Sequence, residues 1–157
     1  MNANKPIKRN KALQAISREH HDGLLLCWKI KSGVEKEVDL FRIKKYVDWF
    51  YQNHLLPHFT AEEILIFPIL GSQHQLIKKA IADHKNLEKL FTTKTNLTQV
   101  LNSIVNDLAQ HIRFEERQLF NEIRQVATQT QLQEIERLHT QKAIDDYQDK
   151  FWEDKIS

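Results

Sequence analysis

Glycine and proline are scarce in this chain, with three of each among 157 residues. The stretches between them are rich in Leu, Ile, Lys, Glu and Gln, which favours helices over short strands joined by turns. Polar or glycine-containing breaks occur at Ser32-Gly33, at 68–72 and at 92–98. These breaks predict four long helices, which span about 11–31, 37–69, 74–93 and 98–127.

A shorter fifth helix is predicted over about 130–150, followed by Phe151 and Trp152. Short connections between long helices favour antiparallel neighbours. We therefore expect an all-α, up-down-up-down four-helix bundle in one domain over 1–157, with a core at about 11–127 and a C-terminal extension at about 130–157. Pro57 interrupts the second helix, and we expect a kink there because proline lacks a backbone donor.

Charge and hydropathy exclude several classes of protein. The chain has 23 basic and 21 acidic residues without a long basic run, so we expect no binding to nucleic acid or to an anionic membrane. Its apolar runs are shorter than the roughly 20 residues that span a bilayer, and residues 1–14 lack the apolar core of a signal peptide. We expect a soluble, cytoplasmic protein.

Eight histidines stand out against a single cysteine, and two of them lie in phase with buried helix faces. Apolar residues lie four and seven positions on either side of His20, and a similar apolar stripe surrounds His84. His21 is out of phase on its N-terminal side, but Leu24 and Trp28 keep it as a rival to His20.

Two His-x-x-x-Glu pairs occupy the second and fourth helices, at His58 and Glu62 and at His111 and Glu115. Residues four apart share a helix face, so each pair can direct an imidazole and a carboxylate at one point. The segments 58–67 and 111–120 also align with each other, sharing the His, two consecutive Glu and a final Phe. The chain thus contains two helical hairpins, each with one His followed by a His-x-x-x-Glu pair.

In an antiparallel pair of helices, two residues at the same height are equidistant in sequence from the loop that joins the helices. The midpoint of two such residues should therefore fall at a predicted break. The midpoint of Glu62 and His84 is Gln73, and the midpoint of His84 and His111 falls at 97–98; both lie at predicted breaks. The midpoint of His20 and His58 lies several residues past Gly33, which fits a connecting loop of several residues. Burying these groups without compensation would cost on the order of several kcal/mol per unpaired charge. We therefore predict a metal site whose ligands are His20, His58, Glu62, His84, His111 and Glu115.

Imidazole and carboxylate ligands without thiolate suit iron, manganese or zinc. Bundle cores with inward His and Glu commonly hold two metals. Two six-coordinate ions offer about twelve positions, of which two bridging carboxylates, four imidazoles and a bridging oxide or hydroxide fill about ten. The open positions favour a reactive centre.

The order His20, His58-x-x-x-Glu62, His84, His111-x-x-x-Glu115 resembles the pattern of bacterial hemerythrin-like (HHE cation-binding) domains over residues 11 to 127. The resemblance implies an antiparallel four-helix bundle with two non-haem iron ions, an oxo or hydroxo bridge, bridging glutamates and terminal histidines; manganese and zinc remain alternatives. It also implies that dioxygen, peroxide or nitric oxide binds at an open iron position.

The sequence departs from the oxygen carriers of this family at two positions. They have a second His on the third helix where this chain has Glu88, and their last carboxylate is five residues after the His, which would select Glu116 over Glu115. The missing imidazole argues against reversible oxygen carriage, because a more open iron can activate peroxide or take an extra ligand. Glu88 and His54 are the candidates for that ligand.

The remaining residues of interest are interpreted more simply. Glu63 and Glu116 are expected to accept hydrogen bonds or to be solvated, His74 and His139 to lie on the surface, and Cys27 to be a small buried residue.

We hypothesise a di-iron protein that binds dioxygen, peroxide or nitric oxide for sensing, storage or detoxification. The alternatives are an enzyme that decomposes peroxide or nitric oxide at the same centre and an iron-responsive interaction module. In the latter the segment 145–157 could bind a partner that the sequence does not identify, although we expect that segment to dock on its own bundle.

Overall fold

The computed structural model of the chain describes residues 11–139 and 145–153, and all regular secondary structure within these ranges is helical. The seven α-helices are α1 (Lys11–Glu35), α2 (Leu40–Phe50), α3 (Leu56–Ala61), α4 (Gln75–Thr92), α5 (Leu97–Phe114), α6 (Phe120–Val126) and α7 (Gln129–Leu138). None of the helices in these ranges is both long enough and apolar enough to cross a membrane.

The second predicted helix is one continuous helical stretch of several pieces. After α2 come a π-helical turn, Tyr51–Leu55, then α3, a second π turn, Glu62–Ile66, and a short 3-10 turn, Phe67–Ile69. The first π turn ends just before Pro57, and the Leu56 N–H bonds the Tyr51 carbonyl five residues back. Pro57 disturbs the hydrogen-bond ladder in this way without ending the helical stretch.

The predicted end of the first helix at Ser32-Gly33 is wrong, because α1 continues to Glu35. The chain turns at 36–39, where Glu37 has a φ of 57°. Gly33 serves packing instead: a Cβ atom there would lie 2.7 Å from the Phe151 ring and 2.9 Å from Ile43 Cδ1. Only glycine allows this close approach of the C-terminal segment to α1.

The predicted fifth helix over 130–150 is also too long. The helix ends at Leu138, residues 145–150 are not helical, and 140–144 lie outside the described residues. The segment 145–153, which we call the C-terminal strap, instead packs along α1 and α2. Phe151 and Trp152 are 2% and 9% exposed, which confirms the predicted docking onto the bundle.

Helix packing creates two apolar clusters with a polar layer between them. α1 packs against α5 and α2, and α4 packs against α5. One cluster includes Leu26, Tyr46 and Leu101, and the other includes Ile16, Ile77 and Phe120. His20 and His84 lie between residues of the two clusters, and each His-x-x-x-Glu pair lies where the chain passes from one cluster to the other, so the fold places them together in the interior.

Candidate metal centre

The six predicted ligand residues meet in one buried group. Glu62 and Glu115 are 0% exposed, and the four histidines are between 2% and 4% exposed. Glu62 lies 3.3 Å from His20 Nε2, 3.2 Å from His58 Nε2 and 3.1 Å from His84 Nε2. Glu115 lies 2.8 Å from His20 Nε2 and 3.2 Å from His111 Nε2. Every imidazole therefore directs its Nε2 atom towards the two central carboxylates.

Helix geometry explains the two His-Glu pairs. His58 is in α3 and His111 is in α5, and each lies four residues before its glutamate, on the same helix face. Both glutamates are also the first residue of a π turn, Glu62–Ile66 and Glu115–Leu119. The internal repeat of the sequence is thus a repeat of structure, and π turns of this kind are frequent at functional sites.

The six residues form two overlapping groups with closely spaced ligand atoms. In each group one nitrogen or oxygen per residue lies within 4.8 Å of all the others. Both groups contain Glu62 and Glu115, so the two carboxylates are shared. The first group is completed by His20 and His58, and the second by His84 and His111. This arrangement could hold two cations side by side with both glutamates between them.

Four further carboxylates surround this group, each within hydrogen-bond distance of one histidine Nδ1 atom. The pairs are Glu19 with His58 at 2.6 Å, Glu63 with His84 at 2.7 Å, Asp83 with His111 at 2.9 Å and Glu116 with His20 at 2.6 Å. A carboxylate accepts the Nδ1 proton, which leaves the Nε2 lone pair free for a cation and fixes the ring orientation.

The outer carboxylates follow the internal repeat of the sequence. Glu19 and Asp83, which directly precede His20 and His84, each bond the histidine of the following His-x-x-x-Glu pair in their own hairpin. Glu63 and Glu116, which directly follow the central glutamates, bond the single histidine of the other hairpin. Our expectation that Glu63 and Glu116 accept hydrogen bonds is confirmed, whereas the roles of Glu19 and Asp83 were not predicted.

The carboxylates control the protonation of the buried imidazoles. Burial disfavours the charged form of His58, but Glu62 and Glu19 outweigh it and raise the pKa to about 9. The pKa of His111 is likewise about 9, because Glu115 and Asp83 outweigh burial. The pKa of Glu62 is held well below its usual value by the surrounding histidines, despite burial. The site thus favours positive charge at its centre.

Several buried polar atoms in this centre have no hydrogen-bond partner among the described residues. They are His58 Nε2, His111 Nε2 and both carboxylate oxygens of Glu115. Glu115 Oε1 is 2.8 Å from His20 Nε2, yet the geometry is not that of a hydrogen bond. Such orphaned atoms are rare in proteins, and a bound cation is a partner that suits all of them at once. The donor set therefore fits metal.

The other candidate ligands lie outside both groups. His54 packs against the rings of Trp49 and Phe50, with centroids 5.0 Å away in each case. Its Nε2 is buried and has no partner among the described residues. His21 and Glu88 are exposed. Neither His54, His21 nor Glu88 is brought to the central carboxylates.

The expectation that His139 lies on the surface is wrong, while His74 fits its expected peripheral place. His139 directly follows α7, its side chain is 9% exposed, and its Nε2 lies 3.0 Å from Glu19 Oε2. His74 caps the start of α4, where its side chain accepts a hydrogen bond from the Leu76 N–H. No local pattern distinguishes the two histidines, because the partner of His139 is on a distant helix.

A cavity of about 180 Å³ lies beside the first ligand group. His58 and Glu19 form part of its wall, with His54 and Asp22 adding further polar groups. Apolar walls come from Phe50, Leu55, Pro57 and Leu138. The cavity is large enough for a small molecule and reaches a residue of the centre.

Comparison with known proteins identifies a family. A family model described as the hemerythrin HHE cation binding domain matches residues 11–123. The matched segment contains all six central residues and all four outer carboxylates, and it ends before α7. No curated protein and no solved structure gives a significant match to the chain.

Proposed function

The chain belongs to the hemerythrin HHE cation-binding domain family, and we propose that its buried centre holds two non-haem iron ions that bind dioxygen or a related small molecule. The proposed ligands are His20, His58, Glu62, His84, His111 and Glu115. Two irons would supply redox chemistry and vacant coordination positions for dioxygen, peroxide or nitric oxide. Sensing, storage and detoxification of such molecules are the functions that suit this chemistry.

The observation that carries the proposal is the sharing of Glu62 and Glu115 by two four-residue groups. A single cation could not use both groups, whereas two cations would use every central donor. Charge also supports two cations. Once cations displace the imidazole protons, the two central and four outer carboxylates leave a large negative charge, most of which two divalent or trivalent ions would offset.

We also infer that the four long helical stretches, 11–35, 40–69, 75–92 and 97–126, run up-down-up-down. Contacts between α1 and α5 pair residues in opposite order, with Gly23 near Ile112 and Cys27 bonded to the Val105 carbonyl. Contacts between α4 and α5 follow the same rule, as do those between α1 and the second stretch. This order lets every stretch contribute to one layer, which the two-iron proposal requires.

The residues of the chain have separable tasks in this proposal. The Nε2 atoms and central carboxylates bind cations, and the outer carboxylates hold the Nδ1 protons and orient the rings. The apolar clusters on both sides exclude bulk water, which strengthens the electrostatic attraction for cations. The cavity beside His58 gives a small molecule a place next to the centre.

The test is elemental analysis combined with an optical spectrum, on protein purified from iron-supplemented cells. We expect about two irons per chain and an absorption spectrum that changes on exposure to air, peroxide or nitric oxide. The matched control is the Glu62→Gln, Glu115→Gln double variant, which should purify without colour. Less than one metal per chain, or a colourless zinc protein, would overturn the proposal.

The cavity beside His58 also favours a second candidate, an enzyme that decomposes peroxide or nitric oxide at the same centre. A turnover assay separates the two functions. Sustained oxygen release from excess peroxide, or sustained loss of nitric oxide with an electron donor, would favour the enzyme. Stoichiometric binding that reverses under vacuum would favour the carrier or sensor.

A further inference from the structure

We propose that His139 is a positioning residue of the metal centre, which fixes His58 through the carboxylate of Glu19. Glu19 lies between two imidazoles: Oε1 is 2.6 Å from His58 Nδ1, and Oε2 is 3.0 Å from His139 Nε2. A carboxylate that accepts from both rings has both oxygens engaged and little freedom to rotate. This inference rests on the proposed binding of metal.

The support given to Glu19 differs from that given to the other outer carboxylates. Asp83 is bonded by Lys79, whose side chain is 52% exposed, and Glu116 by the Ser17 hydroxyl. Glu63 is itself 46% exposed. Only Glu19, among these four described residues, is held by an imidazole from outside the four long helical stretches, and that imidazole is 9% exposed. The His58 side of the centre is therefore the more rigidly supported.

Helix α7 holds His139 in place. Its start is fixed by a capping box, in which the Thr128 side chain accepts from the Gln131 N–H and the Gln131 side chain accepts from the Thr128 N–H. Leu132 and Ile135 are buried in one of the apolar clusters. The His139 N–H bonds the Ile135 carbonyl at 2.8 Å. The imidazole is thus presented to Glu19 by a well-anchored element.

The same helix lies beyond the segment that matches the family model, which ends at residue 123. Helix α7 and His139 are therefore an addition to the centre that lies outside the matched segment. It acts on one side only, because His58 belongs to the first ligand group and His111 to the second. We expect the two irons to be held unequally, with His139 controlling the retention of the iron at His58.

The experiment follows the release of Fe²⁺ from the anaerobic full-length protein to a coloured ferrous chelator. Loss of an outer partner of a metal-bound histidine costs roughly 10–100-fold in metal affinity. Because His139 acts through Glu19, we expect His139→Ala to accelerate the release of one of the two irons by about tenfold. Lys79→Ala, the matched change beside Asp83, removes a partner that is 52% exposed and should accelerate the release of the other iron much less than His139→Ala accelerates the first.

Two further variants separate positioning from general destabilisation. His139→Gln keeps an N–H donor near Glu19 and should restore slow release. Glu134→Ala removes an exposed pair with Arg137 on the same helix and should leave both release phases unchanged.

The positioning role would be overturned if His139→Ala released iron at the wild-type rate, or if the Ala and Gln variants both released the two irons equally faster. Either result would leave the proposed binding of two irons standing. A wild-type protein that binds no Fe²⁺ would overturn the proposed function and this inference with it.

Discussion

His20 Nε2 lies 2.8 Å from Glu115 Oε1 and so links α1 to the π turn that follows α5 across the buried centre. The same nitrogen is 3.3 Å from Glu62 Oε2. One imidazole therefore faces both central carboxylates, which come from different hairpins of the internal repeat. The centre is built from both hairpins at once, and neither could form it alone.

Because both ligand groups share the two glutamates, we expect different variants to lose different numbers of bound metal ions. Glu115 belongs to both ligand groups, whereas His111 belongs to one. We expect Glu115→Gln to lower bound metal from about two per chain towards zero, and His111→Ala to leave about one. Metal per chain after gel filtration measures this. Glu88→Gln, which changes an exposed carboxylate outside both groups, is the control and should retain both metals.

Metal removal should destabilise the fold. A ligand that binds only the native state adds about 2.7 kcal/mol at a free concentration of 100 times Kd. We therefore expect thermal unfolding at a lower temperature after chelation, and recovery when Fe²⁺ is restored. The Glu62→Gln, Glu115→Gln double variant should unfold at the same temperature with and without chelator. Equal stability of metal-loaded and metal-free wild type would contradict the coupling of binding to folding.

The stability of the metal-free protein should fall as pH rises from about 6.5 to about 9. His58 and His111 have pKa values of about 9 in the folded state, raised from 6.5, so the folded state binds more protons in this window. Their contribution is complete below pH 6.5 and is lost as they deprotonate near pH 9. Urea unfolding across this range, with metal removed, measures the slope.

The apparent affinity for metal should rise as pH rises from about 6.5 to about 9. A cation must displace the protons of His58 and His111, so apparent affinity should rise by up to about tenfold per pH unit for each proton displaced. Titration with Fe²⁺ at several pH values tests this. An affinity that does not change between pH 6.5 and 9 would show that these imidazoles are not the ligands.

The six central residues could be predicted from the sequence because the position of a residue on a helix face depends only on local spacing. His20 and His84 were identified by apolar neighbours on their own helices, and His58 with Glu62 by a four-residue spacing. Each inference required only the regular geometry of one helix. The structure accordingly places these residues in one group.

The turn at 36–39 was predicted at the wrong place because Gly33 has a packing role that the local sequence does not show. Gly33 was interpreted as a helix end, but its small size instead admits Phe151, which is distant in the sequence. The midpoint of His20 and His58 in the sequence is Asp39, which lies in the observed turn at 36–39. Matching ligands across helices located this loop better than glycine did.

The partners of the outer carboxylates and of His139 could not be assigned from the sequence because they lie on other helices. Glu19 precedes His20, yet it bonds His58 and His139, 39 and 120 residues away. The docking of the C-terminal strap was predicted, but its non-helical conformation was not, since it is held by side-chain bonds to α1 and α2. Tertiary contacts override local propensity in both cases.

Cys27 should react slowly in the folded protein. The residue is 5% exposed, its thiol lies 3.6 Å from the Val105 carbonyl, and burial raises the pKa of the thiol from 9.0 to about 11. The pKa shift alone lowers the thiolate population by about 100-fold at neutral pH. Labelling with a thiol reagent before and after urea unfolding measures the difference. Rapid labelling of the folded protein would contradict the buried placement.

The C-terminal strap should depend more on Asp145 than on Asp149. Asp145 Oδ2 lies 3.0 Å from Lys29 Nζ and 2.5 Å from the Tyr46 hydroxyl, and the Lys29 side chain is only 9% exposed. Asp145→Ala would leave a buried ammonium and a buried hydroxyl without this acceptor, so we expect a loss of about 1–3 kcal/mol.

The matched control is Asp149→Ala, which removes the acceptor of Arg42. Both side chains of that pair are more exposed, at 32% and 43%, so we expect a loss below about 1 kcal/mol. The loss of unfolding free energy in each variant is measured from its urea unfolding midpoint, provided that the dependence of the free energy on urea is the same in both. A larger loss from Asp149→Ala than from Asp145→Ala would mean that the strap is held by its exposed ion pair rather than by the buried Lys29 and Tyr46 contacts.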